Sequence, residues 1–418
     1  MSAMTPGRRR VWAWAFYDWA NTAYATVVIA GFFPLFFGEY WASALEQGER
    51  TFWLGAANSA SSVVIVLLAP LLGAVADRAG LRRRFLVRFA LLGILATATL
   101  SLIGAGHWGA AASAFAVATV GFMGANVFYD ALLVEVAPAG EGDRVSALGY
   151  ALGYLGGGIL FAGCVVLALM PETFGLPDRS AAVRLSFLLT ALWWAAFSIP
   201  LLRTVGERDG PRVPAPQAFR EGAGQLRRTL RDIAAHRPVA LFLGGYFLYI
   251  DGVDTIVRMA VDYGMSIGFS ANDLIAALLL VQFVGFPATL LFGRLAGPLG
   301  ARGGILLALA LYAATTIWAS VMTSTWEFYG LAVTIGLIQG GVQALSRSFF
   351  ARLVPPDCAA EFFGFYNMMG KFAAVLGPIL VGWVGWAAGD PRTGILSLLL
   401  LFGAGALLLM RVPDPERS

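Results

Sequence analysis

Residues 239–261 read Val-Ala-Leu-Phe-Leu-Gly-Gly-Tyr-Phe-Leu-Tyr-Ile-Asp-Gly-Val-Asp-Thr-Ile-Val-Arg-Met-Ala-Val, an apolar run long enough to cross a bilayer that nevertheless carries Asp251, Asp254 and Arg258. Their spacing, i, i+3 and i+7, puts the three charges on one helical stripe. An ionised group at the bilayer centre costs about 2.5–3.5 kcal/mol on insertion scales, so such residues face a protein interior or a water-filled path rather than lipid. The stretch predicts a membrane helix that lines something polar, as a transporter requires.

The rest of the chain has the same character. Over 418 residues, 58% are hydrophobic and 13% charged, with a mean hydropathy of +0.73, which excludes an ordinary soluble domain and predicts an integral membrane protein. Apolar runs of about 20 residues, the length that spans ~30 Å of hydrocarbon, occur twelve times: at 13–37, 52–76, 85–105, 109–137, 146–170, 183–203, 239–262, 273–293, 304–323, 326–354, 362–387 and 394–412. Of the 29 basic residues, 23 fall on one side of this pattern, including Arg347 and the Arg-rich stretch 203–237, and four (Arg50, Arg179, Arg184, Arg392) on the other; Arg258 and Lys371 lie within spans. The positive-inside rule then places both termini in the cytoplasm, expected of a bacterial inner (plasma) membrane protein, and explains the +4 net charge without nucleic acid.

The Arg-Arg-Arg run at Arg8–Arg10 is not expected to open a cleavable signal, since the following helix is too long, contains Asp18 and Asn21 and lacks a small-residue cleavage site, so the first helix is expected to stay. The domain reading is an N-terminal six-helix half (1–204), a cytoplasmic linker with a basic amphipathic helix (205–237) and a C-terminal six-helix half (238–418). The linker helix sets Phe219, Leu226, Leu230 and Ile233 against Arg220, Arg227, Arg228 and Arg231, suited to an anionic leaflet or equally to solvent.

The halves echo one another. Asp18, Asn21 and Thr22 in the first span match Asp251, Asp254 and Thr255 in the seventh. Gly73, Gly80 and Arg82 after the second match Gly293, Gly300 and Arg302 after the eighth. Duplicated halves around a midplane site are a recurrent transporter plan.

The segment Gly73-Ala-Val-Ala-Asp77-Arg78-Ala-Gly80-Leu-Arg82-Arg83-Arg84 resembles the signature loop of the major facilitator superfamily. Glycines there permit close helix approach and a tight turn, and Asp77 can meet an Arg or a helix N-terminus. The resemblance implies an all-α, twelve-helix fold in two pseudo-symmetric halves, with Gly73, Asp77, Arg78, Gly80 and Arg82 as a cytoplasmic gate. A narrower resemblance, to the autophagy-related vacuolar amino-acid effluxers and their bacterial relatives, rests on Tyr17-Asp18-Trp19-Ala20-Asn21-Thr22, Asn126-Val-Phe-Tyr129-Asp130, Gly149-Tyr-Ala-Leu-Gly153-Tyr-Leu-Gly156-Gly157, Tyr249-Ile-Asp251-Gly252-Val-Asp254-Thr255, Gln339-Gly-Gly-Val-Gln343-Ala-Leu-Ser346-Arg347-Ser348 and Glu361-Phe-Phe-Gly364-Phe-Tyr366. It implies alternating access and amino-acid export. The second-half loop departs from the pattern, with Gly297 where the first has Asp77, so a charged latch is not expected there.

In the superfamily fold helices one, four, seven and ten line the central cavity, and these helices hold most of the polar residues: Asp18, Asn21 and Tyr24; Asn126, Tyr129 and Asp130; Asp251, Asp254 and Arg258; Gln339, Gln343 and Arg347. Lys371, the single lysine, lies in the eleventh span with Asn367 one turn before it. A compact, tunable ammonium there suits an anionic partner, a substrate group or a structural carboxylate. Asp18, Asn21, Asn126, Tyr129, Asp130, Asp251, Asp254, Arg258, Gln339, Gln343 and Lys371 are therefore the expected substrate or proton site. The alternative for the uncharged members is interhelical hydrogen bonding. Arg258 is expected to pin Asp254, leaving Asp251 first among the proton-carrier candidates, with Asp18 and Asp130 behind it.

The expected function is proton-coupled export or exchange of a small polar solute such as an amino acid, by a monomer needing lipid and substrate but no cofactor. Other readings are export of amphipathic drugs or lipids and a non-transporting membrane sensor or scaffold. No nucleotide-binding Gly-rich loop, metal cluster or nucleophile–base pair points to an enzyme.

Overall fold

A chain this apolar has no water to satisfy its backbone inside a bilayer, so it satisfies it internally, as helix. The computed structural model describes residues 5–207, 236–266, 271–322, 324–389 and 391–413, with Gln217, Arg231 and Ile233 between; inside the helices, the side chains of 258–266, 271, 325, 371–375 and 391 lie outside the description. The amphipathic linker helix expected at 205–237 also falls largely outside the described residues.

The described residues form twelve membrane-scale helices: α1 Pro6–Trp41, α2 Gln47–Ala79, α3 Arg82–Leu100, α4 Trp108–Val136, α5 Gly142–Leu169, α6 Arg179–Thr204, α7 Arg237–Ser266, α8 271–299, α9 301–321, α10 Thr325–Leu353, α11 Ala359–Ala388 and α12 Arg392–Met410. Nine segments are long and apolar enough to span by composition alone; Asn272–Val321 among them is one continuous helical stretch folded at Gly300, where φ is 72°. Separating α8 from α9 there, and adding the Arg-rich α3 and the partly described α11, gives the twelve expected.

The halves meet along two close seams. Where α2 crosses α11, a Cβ on Gly73 would sit 2.4 Å from the Ala360 carbonyl oxygen, and one on Gly364 2.7 Å from Pro70 Cα. Where α5 crosses α8, a Cβ on Gly293 would meet Ala147 Cβ at 2.5 Å and one on Gly285 the Tyr154 ring at 2.9 Å. Glycine at these positions lets backbones approach as membrane helix packing favours. Helix α1 is unusual: Tyr24–Phe32 and Phe37–Trp41 are wound with i→i+5 hydrogen bonds, on either side of Pro34, which cannot donate to the turn before it.

Candidate functional site

Arg347 is the centre of the site. It lies six residues before the end of α10, ~9 Å in at 1.5 Å per residue, and is fully buried. Nη1 donates to Asp130 Oδ1 at 3.1 Å and to Asp18 Oδ2 at 3.3 Å; Nη2 donates to Asp18 Oδ2 at 3.3 Å and to the Ser146 carbonyl at 2.9 Å; Nε donates to Ser146 Oγ at 3.0 Å. Three aromatic faces close round the guanidinium, with its carbon 4.1 Å from the Tyr150 ring centre, 4.8 Å from Trp14 and 5.4 Å from Tyr129. Tyr129 stacks on Trp14 and donates its hydroxyl to Asp18 Oδ2 at 2.9 Å, while Asn367 of α11 donates to Asp130 Oδ2 at 3.1 Å. One guanidinium thus faces two carboxylates, and losing a partner from such a buried set costs about 3–5 kcal/mol.

Above this network lies a cavity of ≈ 440 Å³ walled by both halves. Its lower wall is polar. Asn21 donates to Asn126 across α1 and α4, Gln339 and Gln343 project from α10, and Tyr150, Tyr154, Tyr246 and Tyr366 add rings and hydroxyls. Gln282 of α8 donates to Thr26 of α1, tying the halves together inside the cavity. The upper wall is apolar and reaches Leu274 and Phe328, near the first turns of α8 and α10, on the face away from the N-terminus.

Of the residues expected from sequence, the structure gathers Asp18, Asn21, Asn126, Tyr129, Asp130, Gln339 and Gln343 around this cavity. Asp251 and Asp254 are not part of its lining: Asp251 is fully buried beside Thr255 and against Gly377 of α11, and Asp254 is half-buried. The side chains of Arg258 and Lys371 lie outside the described residues. Arg347, by contrast, falls in the sequence pattern among the basic residues of one membrane side. Its signal was present in the i, i+4, i+8 stripe it forms with Gln339 and Gln343, which already set it on their face. Tyr150 and Ser146 carried no comparable signal.

The face that holds the N-terminus is closed beneath the cavity. Asp77, in the last turn of α2, accepts the backbone N–H groups of Ala360 at 3.2 Å and Glu361 at 2.9 Å, so it caps the N-terminus of α11 from the other half. Arg82 pairs with both Asp77 and Glu135 and donates to the Pro356 carbonyl at 2.8 Å. Gly80, at φ 63°, makes the turn between them, and Arg78, next to Asp77 in the chain, is half-buried. A second tie joins α5 to α10: Arg352 Nη1 lies 3.0 Å from Asp143 Oδ2, and Ser348 donates to Asp143 Oδ1. Beside the first latch, burial and then the neighbouring Asp77, Glu361 and Asp357 carboxylates push the half-buried Cys358 thiol up to about 11.

Twelve helices in two halves around a central cavity define a major facilitator transporter. The fold agrees over its whole length with the human organic anion transporter MFSD10 (TM-score 0.74, 18% identity, 97% of this chain and 100% of that one). It agrees as well with the transporter FucP in its outward conformation (TM-score 0.69, 13% identity, 99% and 100%) and with a bacterial homologue of the iron transporter ferroportin in its outward-facing state (TM-score 0.67, 14% identity, 98% and 99%). Residues 54–417 match the family described as "Vacuole effluxer Atg22 like", and the chain belongs to that family. It is 38% identical over 407 residues to the MFS-type transporter YxiO of Bacillus subtilis (strain 168), covering 96% of this chain and 94% of that protein. It is 30% identical over 290 residues to autophagy-related protein 22-2 of Aspergillus clavatus, covering 62% of this chain and 46% of that protein. The matched region spans about half the length of these fungal relatives.

Proposed function

We propose that this chain exports or exchanges a small amino-acid-like zwitterion for protons by alternating access, as a monomer in a bacterial plasma membrane with both termini cytoplasmic. The observation that carries the reading is the cavity itself. It is walled by both halves, floored by charge and shut on one face by the ties of Asp77 to the start of α11 and of Asp143 to Arg352. In this reading Gly73, Asp77, Arg78, Gly80 and Arg82 form the cytoplasmic gate. Asn21, Asn126, Gln339 and Gln343 hydrogen-bond the solute. Asp18 and Asp130, two carboxylates on one guanidinium, move ahead of Asp251 as proton carriers, because protonating either balances the charge without breaking the network. Asp254, Arg258 and Lys371 remain proposed contributors from α7 and α11.

The apolar upper wall, with Leu274, Leu278, Val281, Phe328 and Ile335, favours one competing reading, an exporter of amphipathic organic ions. A thermal-shift screen of the purified protein against amino acids, organic anions and lipophilic cations, followed by counterflow in proteoliposomes, separates the two. Stabilisation and counterflow by zwitterions support the proposal; stabilisation by lipophilic ions alone overturns it.

A further inference from the structure

We infer that the cavity floor is an organic-cation site belonging to the N-terminal half, that Arg347 fills it while the N-terminal face is shut, and that an ammonium or guanidinium group of the substrate takes its place when that face opens. This rests on the transport reading above and names the chemistry its site selects.

Among the described residues, every hydrogen-bond acceptor and ring around the guanidinium comes from α1, α4 or α5: Asp18, Asp130, Ser146, and the faces of Trp14, Tyr129 and Tyr150. The cation itself comes from α10 in the other half. Two carboxylates, a hydroxyl, a carbonyl and three π-faces make a receptor for an organic cation. A proton alone would use the carboxylates and none of the rings.

Position supplies the second argument. The Ser146 hydroxyl donates to the Ala344 carbonyl at 2.7 Å, and below it Asp143 holds Ser348 and Arg352, so α5 and α10 are stitched together along the same closed end as Arg347. Parting these helices to open that face withdraws the guanidinium from its receptor. Asp18 and Asp130 would then sit together in a desolvated aromatic pocket without their countercharge, a state that low dielectric strongly disfavours. A substrate cation entering from the opened face restores the balance and meets the rings. Reclosure returns Arg347, which displaces that cation upward into the cavity, whose wall leads to the opposite face. Arg347 thereby acts as a tethered competitor that gives transport its direction.

The test uses the purified full-length protein and methylguanidinium, with neutral methylurea as its isostere. In R347G, methylguanidinium should raise the melting temperature along a saturable curve, methylurea should not, and D130N added to R347G should weaken the effect at least ten-fold. The wild type, its site already filled, should respond little. As a measurement that keeps Arg347, the latch variant D77N should show saturable acceleration of maleimide labelling at Cys358 by methylguanidinium, because the cation holds the open state. Equal responses to methylguanidinium and methylurea, or responses unchanged by D130N, overturn the cation site. Counterflow that ignores the amino group of its solute overturns this inference and leaves the transport reading standing; methylguanidinium binding without counterflow of any amine does the reverse.

Discussion

Two loops occupy matching places in the halves: Gly73–Arg84 joins α2 to α3, and Gly293–Arg302 joins α8 to α9. They share a backbone solution, since Gly80 and Gly300 both take positive φ, 63° and 72°, where a side chain would be strained. They differ in chemistry. Arg82 binds Asp77, Glu135 and the Pro356 carbonyl, and so reaches the other half; Arg302 donates to the Val412 carbonyl at 2.8 Å, at the end of α12 in its own half. At Gly297, the counterpart of Asp77, a Cβ would meet nothing within 4 Å. The duplicated halves keep the turn and not the latch. The cross-half ties at the closed face are instead Asp77 at the start of α11 and, on the pseudo-symmetric side, Asp143 in the first turn of α5.

The sharpest way to break the comparison is D77N. It removes the charge and one of the two oxygens that accept from the start of α11, and weakens the buried ion pair of Arg82, which keeps Glu135; breaking a buried pair outright costs about 3–5 kcal/mol, and this loss approaches that figure. The closed population should fall with it. Maleimide labelling of Cys358 reads this directly: in the wild type it should be slow at pH 8 and rise as pH climbs toward about 11, because only the thiolate reacts. D77N, which removes one of the raising charges and exposes the thiol, should label faster at every pH below that value. Cys164, buried in α5, should not contribute.

Next in size is G73A. Its methyl would enter the α2–α11 seam 2.4 Å from the Ala360 carbonyl, and overpacking of this kind costs about 1–3 kcal/mol. A thermal melt should fall, and a cross-link between α2 and α11 should form less readily. R302A should cost about 1 kcal/mol, one hydrogen bond's worth, and leave Cys358 labelling unchanged, since the bond it removes stays within one half. The smallest effect belongs to G297A, within about 0.5 kcal/mol by the same melt. A G297A loss as large as that of G73A would erase the asymmetry.

Much of this is legible in the amino-acid sequence, and for physical reasons. Twelve spans follow from hydrocarbon thickness, and the Gly73–Arg84 loop announces itself through glycine and charge at fixed spacing. Asp18, Asn21, Asn126 and Asp130 are conspicuous in the sequence because polar groups in apolar helices are costly, and all four line the cavity. Arg347 was harder, since an arginine a turn or two from a helix end satisfies the positive-inside pattern as readily as it fills a buried site. Asp251 differs: its match to Asp18 suggests a shared cavity, whereas the cavity lining includes Asp18 and not Asp251. Sequence symmetry gives helix rank, but which way a side chain turns depends on neighbours such as Thr255 and Gly377, far apart in the chain.

The cap that Asp77 lends to α11 has one more consequence. If the halves part here, as proposed, that carboxylate and the N–H groups of Ala360 and Glu361 exchange each other for solvent, so opening would be a hydration step as well as a mechanical one. Water activity then becomes a control on the cycle. Osmolytes excluded from protein surfaces should therefore favour the closed arrangement of this cap.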